Sequence, residues 1–228
     1  MKTFKIMVAA LALGAASALS PASAATINVT KQGTNAFVDA SGSNGWYQST
    51  SYTLNGTGRS AAAGMFRLTG TSATGAVQDF LAFCLEPLET LTLPKDHTVG
   101  TTLGSSVLDR LGALMSNAFT LVTGSQSAAA FQMAAWEIAN ESNGSLDLAN
   151  GGFRITSAAQ GTQSLAQSWL DFIGSGQWSA TGDVTILSAS GTQDLLTNIA
   201  PVPVPAAGVL LLGGLAGLGA LRRRRKAA

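Results

Sequence analysis

An α+β domain, β-rich with a sandwich-like or barrel-like body and an inserted helical layer, is predicted by three observations. Before Pro94, short apolar runs alternate with Gly- and Asn-containing turn signals. Beyond Pro94, apolar residues recur at three-to-four spacing in three stretches. Residues 183–189 then return to an extended pattern, and no internal repeat is evident.

Taken in order, strands are expected at residues 26–30, 46–54, 64–69 and 77–86, with turns at Ser43-Asn44-Gly45 and Asn55-Gly56. Helices are expected at 103–119, 127–141 and 162–173. One further strand is expected within 183–189. That places the domain at 25–189, with 190–201 as a linker.

The two chain ends are read as processing segments. Lys2 and Lys5 precede an apolar stretch over 6–19, too short to span a bilayer, and then Ala22-Ser23-Ala24, the small-residue pattern of a cleavage site. A signal peptide over 1–24 is therefore predicted, and export with it. At the other end the motif Val202, Pro203, Val204, Pro205, Ala206 opens an apolar run that ends at Leu221. Arg222, Arg223, Arg224, Arg225 and Lys226 follow. As a helix, 206–221 would reach about 24 Å, slightly less than a ~30 Å hydrocarbon core, and the basic cluster would stay cytoplasmic.

The order of Pro motif, short Gly-rich helix and terminal Arg run resembles the VPLPA variant of the PEP-CTERM sorting signal, with Val204 in place of the usual Leu. The resemblance implies a Gram-negative, exopolysaccharide-producing bacterium whose exosortase removes the tail. It also implies transient anchoring in the inner membrane, then release to the cell surface or extracellular matrix. A permanent single-span anchor is the plainer alternative.

Charge and composition exclude several classes. Seven of the 13 basic residues lie in the processing segments and all 12 acidic residues lie between Asp39 and Asp194, so the exported part carries six basic against twelve acidic side chains, a net −6. Nucleic acid is not an expected partner, and an acidic polysaccharide would require local basic spots. One His and one Cys cannot build a His/Cys zinc site or an intrachain disulfide, and no Ser/His/Asp set can be assembled around one His. No cofactor is expected. An enzyme acting on polysaccharide would require a carboxylate pair at hydrolase spacing, and no motif nominates one.

Two positions carry chemical interest. Cys84 lies in Phe80-Leu81-Ala82-Phe83-Cys84-Leu85-Glu86, where both faces of a strand are apolar, so burial is expected. Three fates are open to it: an inert core residue, half of an intermolecular disulfide, or a reactive thiol. Gln132 lies in the helical segment 128–141 and at 100° per residue shares a face with Ala128, Ala135, Trp136 and Ala139, while Glu137, Asn140 and Glu141 fall opposite. An amide on an apolar face is either hydrogen-bonded inside or chemically converted, since burying it unpaired costs about 1–3 kcal/mol.

Together, Phe83-Cys84-Leu85-Glu86 and the downstream Gln132-x-Ala134-x-Trp136 resemble the paired motifs of thioester domains in bacterial surface adhesins. Phe131 stands where that motif often has Thr. The stretch 131–138, Asn143-Gly144 through Gly152-Phe153, and 166–170 also resembles the Gln-containing core of thioester-like PEP-CTERM surface proteins. The resemblance covers roughly residues 76–173. It implies a bond between Cys84 as nucleophile and Gln132 as acyl donor, with ammonia lost, ready for exopolysaccharide or surface amines and hydroxyls. A structural biofilm-matrix protein with the same sorting history and no thioester is the alternative.

Glu86 and Glu137 are expected as solvated carboxylates and His97 as a loop residue. Trp136 and Trp169 are expected in the core, with Trp46 and Trp178 left open between packing and sugar stacking. The sequons at Asn28, Asn55 and Asn143 read as strand edges and turns.

Overall fold

A computed structural model describes residues 25–199. The predicted signal peptide over 1–24, the Val202–Ala206 motif, the apolar run and the Arg222–Lys226 cluster all lie outside the described residues. The domain is β-rich. Nine strands, β1 (Thr26–Lys31), β2 (Tyr47–Leu54), β3 (Thr57–Gly64), β4 (Phe66–Ser72), β5 (Val77–Cys84), β6 (Lys95–Val99), β7 (Phe153–Ser157), β8 (Thr185–Ser188) and β9 (Leu195–Thr197), accompany three helices, α1 (Ser105–Ala118), α2 (Ser125–Asn140) and α3 (Thr162–Gly174). Six strands close a barrel in the order β1-β4-β5-β9-β8-β6, every neighbouring pair antiparallel, and β3-β2-β7 form a separate three-stranded sheet.

The local chemistry explains most of these elements. Asn55 and Gly56 both adopt positive φ (50° and 81°), the two-residue geometry whose twist matches that of flanking strands, so β2 and β3 pair without a break from Leu54↔Thr57 to Tyr47↔Gly64. β3 is Ala-rich and lacks the β-branched pattern, which is why only its last residue falls inside an expected strand. The hairpin imposes the strand. Similarly, β6 and β7 are five-residue strands whose sequences, Lys-Asp-His-Thr-Val and Phe-Arg-Ile-Thr-Ser, are extended because neighbours pair with them.

α2 sits at the centre. It packs against α1, α3 and strands β2, β3, β5 and β7. Six alanines keep it slim enough for that position and are the strongest helix formers. The Ser127 hydroxyl accepts from the Thr123 and Gly124 N–H groups (2.9 and 3.2 Å), occupying donors ahead of the first turn. Phe131 stacks on Phe83 of β5 (ring centroids 4.1 Å apart) and meets Phe119 and Trp169 edge-on, which ties helix, barrel and α3 together.

Three expectations are corrected here. His97 is buried on β6, its ring nitrogens facing the carbonyls of Lys95 (3.2 Å) and Gln193 (3.4 Å), because the strand folds its side chain inward beneath the 190s. Within the segment read as a linker, β9 pairs with both β5 and β8 and buries Leu195, Leu196 and Thr197, so the barrel would be open without it. The domain therefore extends at least to Ile199. Glu137 is buried as well, since α2 has no solvent face between Ala128 and Ile138.

Candidate functional site

Cys84 is the last residue of β5, and Gln132 lies midway along α2. The β4–β5 register that sets Phe66 opposite Ala82 would continue to Gly64 opposite Cys84, but Gly64 closes β3 against Tyr47. The chain leaves the barrel there through a contact so close that a Cβ on Gly64 would lie 2.4 Å from the Trp46 carbonyl oxygen. One edge of Cys84 is consequently without a strand partner. On its other side Cys84 is aligned with Leu195, and the next N–H, that of Leu85, donates to Asp194 O at 3.0 Å.

Gln132 fills the vacated edge. Its Oε1 accepts from the Cys84 N–H at 2.9 Å and its Nε2 donates to the Cys84 carbonyl at 2.6 Å, so the side-chain amide behaves as one residue of an added strand. Cys84 is 2% exposed and Gln132 1%. The two predicted residues are thus brought together, with the amide held at two points in a water-poor setting. Among the described residues Cys84 is a free cysteine.

Burial pushes the Cys84 thiol up to about 12. The Trp136 indole N–H and the Glu86 backbone N–H favour the thiolate, and the Glu86 and Asp194 carboxylates oppose it. Trp136 Nε1 is buried without a hydrogen-bond partner of normal geometry, so its approach to the sulfur is a weak polar contact. Tyr52 on β2 packs on Trp136 (5.4 Å) and Phe153 (5.6 Å), and its hydroxyl donates to Pro87 O. Sequence reading missed Tyr52 as part of this wall. Its inward alternation with Leu54 is the signal that marks it.

Cys84, Trp136 and Tyr52 line a cavity of about 560 Å³, walled further by Phe37 and Phe66 and reached by Lys31 and Arg59. Of the two carboxylates named with the motif, Glu86 is half-buried and accepts the Asp194 N–H at 2.8 Å, and burial raises its pKa. It pins β9 beside Cys84. Glu137 accepts the Asp147 N–H at 2.8 Å through Oε1, while Oε2 has no partner. Beyond α2, Glu141 accepts the N–H groups of Gly152 (2.6 Å) and Phe153 (3.2 Å). Gly151 allows this, with φ at 117° and the carboxylate where a Cβ would stand. Trp169 is in the core as expected, and half-buried Trp46 carries Arg67 over its ring at 5.2 Å. Among the described residues no group of three or more His, Cys, Asp or Glu could hold a metal ion.

Burial raises the Glu137 pKa to about 7, with the Glu141 and Asp147 carboxylates adding to the rise. Its neutral form is favoured by folding, so its contribution is complete below the unfolded value of 4.5 and is lost as pH climbs toward 7, where the folded group ionises. At ~1.36 kcal/mol per pH unit, the loss is roughly 3 kcal/mol across that window. Urea unfolding at pH 5 and pH 8 is expected to show the native chain losing stability at the higher pH, with Glu137→Gln flattening the difference. An equal slope in both proteins would assign the pH dependence elsewhere.

Compared with protein-family models, with curated proteins and with solved structures, the chain shows no match. Its function has to be read from its own residues.

Proposed function

We propose that the chain is an exported, exosortase-processed cell-surface or exopolysaccharide-matrix protein whose barrel domain forms an internal Cys84–Gln132 thioester for covalent attachment. The observation that carries this reading is the pair of hydrogen bonds between the Gln132 amide and the Cys84 backbone. In the bond-forming step Cys84 Sγ attaches to Gln132 Cδ, the Cδ–Nε2 bond breaks, and the thiol proton leaves with the nitrogen as ammonia. The Cys84 N–H already donates to Oε1, the atom on which negative charge develops. Fixing both groups on a strand and a helix supplies the proximity that a poor electrophile such as an amide requires. The buried, aromatic surroundings then keep water from the product. The intact mass of freshly purified domain tests the proposal.

The same hydrogen bonds also satisfy an intact glutamine, and a thiol held near 12 is neutral at physiological pH. These two facts favour the second reading, a matrix protein in which Gln132 serves as a structural latch. The mass measurement separates the two.

Sorting rests on the Val202, Pro203, Val204, Pro205, Ala206 motif and the Arg222, Arg223, Arg224, Arg225, Lys226 cluster, with exosortase as the partner and the inner membrane as the transient site. Replacing the five basic residues with neutral ones is expected to release unprocessed chain from the membrane before cleavage. Immunoblots of cell and medium fractions read this directly, and unchanged size and distribution would remove the sorting reading.

A further inference from the structure

The cavity over Cys84 has a charge opposite to that of the domain around it. Of the six basic side chains between residues 25 and 201, Lys31 and Arg59 both line it, whereas Glu89 is the one carboxylate among its lining residues. The hydrogen bonds of the two cations among the described residues go to backbone carbonyls: Lys31 Nζ to Thr34 O (3.4 Å) and Arg59 Nη1 to Gly58 O (3.1 Å). Their charges are therefore turned toward solvent and the cavity. Arg59 also acts on the buried end of the cavity, since its positive charge lowers the Tyr52 pKa against a larger rise from burial. Aromatic rings complete the walls, with half-buried Phe37 4.9 Å from buried Phe66 and buried Tyr52 and Trp136 5.4 Å apart beside the sulfur. At the base, Trp136 Nε1 is a buried donor that makes only its weak contact with the sulfur and no hydrogen bond of normal geometry.

Resting on the thioester reading, we infer that the group captured at Cys84–Gln132 is a hydroxyl of a carboxylate-bearing polysaccharide. Half-buried Phe37 offers an apolar face to a sugar ring, and exposed Lys31 and Arg59 engage sugar carboxylates. The same two charges repel an incoming ammonium group, so a protein lysine is disfavoured where a neutral hydroxyl on an anionic chain is drawn in. In the transfer the hydroxyl oxygen bonds to Gln132 Cδ and the Cδ–Sγ bond breaks with its electrons on sulfur. The hydroxyl proton ends on Sγ. The products are an ester and a free Cys84 thiol, and no oxidant, reductant or other co-reactant enters.

The test incubates fresh mature domain with oligogalacturonate, with a neutral malto-oligosaccharide of equal length, with a lysine-containing peptide and with methylamine, reading intact mass and free thiol. Oligogalacturonate is expected to form an adduct about tenfold faster than the neutral sugar at low salt, with the advantage shrinking as salt rises. A Lys31→Gln/Arg59→Gln double variant is expected to equalise the two sugars while its thiol is still freed by methylamine. If methylamine frees the thiol but the neutral sugar or the peptide reacts as fast as oligogalacturonate, or the double variant keeps the preference, the polysaccharide inference is overturned and the thioester stands. If methylamine frees no thiol and the protein has full mass, the thioester reading falls and takes this inference with it.

Discussion

Freshly purified mature domain is expected to weigh one ammonia less than its sequence requires, and Cys84→Ala and Gln132→Ala are each expected to restore full mass. Neither half can close the ring alone. The effect is all or none. Native protein should resist thiol alkylation, and methylamine should return one methylamine adduct together with one free thiol, because the amine takes the acyl carbon and releases sulfur. Cys84 is already inaccessible by burial, so slow alkylation alone does not report the bond. The decisive comparison is alkylation after denaturation at mildly acidic pH, where a buried free thiol is labelled and a thioester is not. Full mass with complete labelling in fresh wild-type protein would establish Gln132 as a latch and the chain as a matrix protein without covalent chemistry.

The second large effect is expected at Trp136. The ring is buried between Tyr52 (5.4 Å) and Phe153 (6.2 Å) and forms the wall of the cavity beside Cys84. Trp136→Ala removes that volume from a site where strand β2, strand β7 and helix α2 meet, so collapse of the surroundings is limited. A destabilisation of about 3–5 kcal/mol is expected, a large share of the roughly 5–15 kcal/mol that holds a domain together. Trp136→Phe keeps most of the apolar contact and is expected to lose less than half as much. Urea midpoints at unchanged m-value measure both. A loss below about 1 kcal/mol for the alanine variant would show that Trp136 does not anchor this junction. Glu137, expected as a solvated carboxylate on the next position of the helix, is instead fully buried, so it offers no neutral surface control for Trp136.

Local patterning carried much of the fold. The alternating runs in β1, β2 and β5 and the Asn55-Gly56 turn were legible because β-branched and aromatic residues at period two, and a dipeptide that tolerates positive φ, act within a few residues of themselves. The three helices were legible from their apolar period and alanine content. Strands β6, β7 and β9 were not, since each is only three to five residues long and becomes extended by pairing with residues far along the chain, while Ala-rich β3 is made a strand by its hairpin with β2. β9 pairs with β5 across more than a hundred positions, and no local signal in Leu-Leu-Thr announces it.

The candidate site divides in the same way. Cys84 and Gln132 were nominated by the sequence, as an apolar-flanked thiol and an amide on an apolar helix face. Whether the two meet depends on where the barrel and α2 lie, a question of long-range packing. The tertiary structure decided it through one departure from regular pairing: β3 turns away at Gly64, Cys84 loses a strand neighbour, and the Gln132 amide supplies the missing donor and acceptor. It also decided the state of Glu137. The 100° periodicity sorts a helix into faces, but it does not reveal that sheet, barrel and two helices enclose α2 on every side, which turns an expected surface carboxylate into a buried group with a pKa near 7.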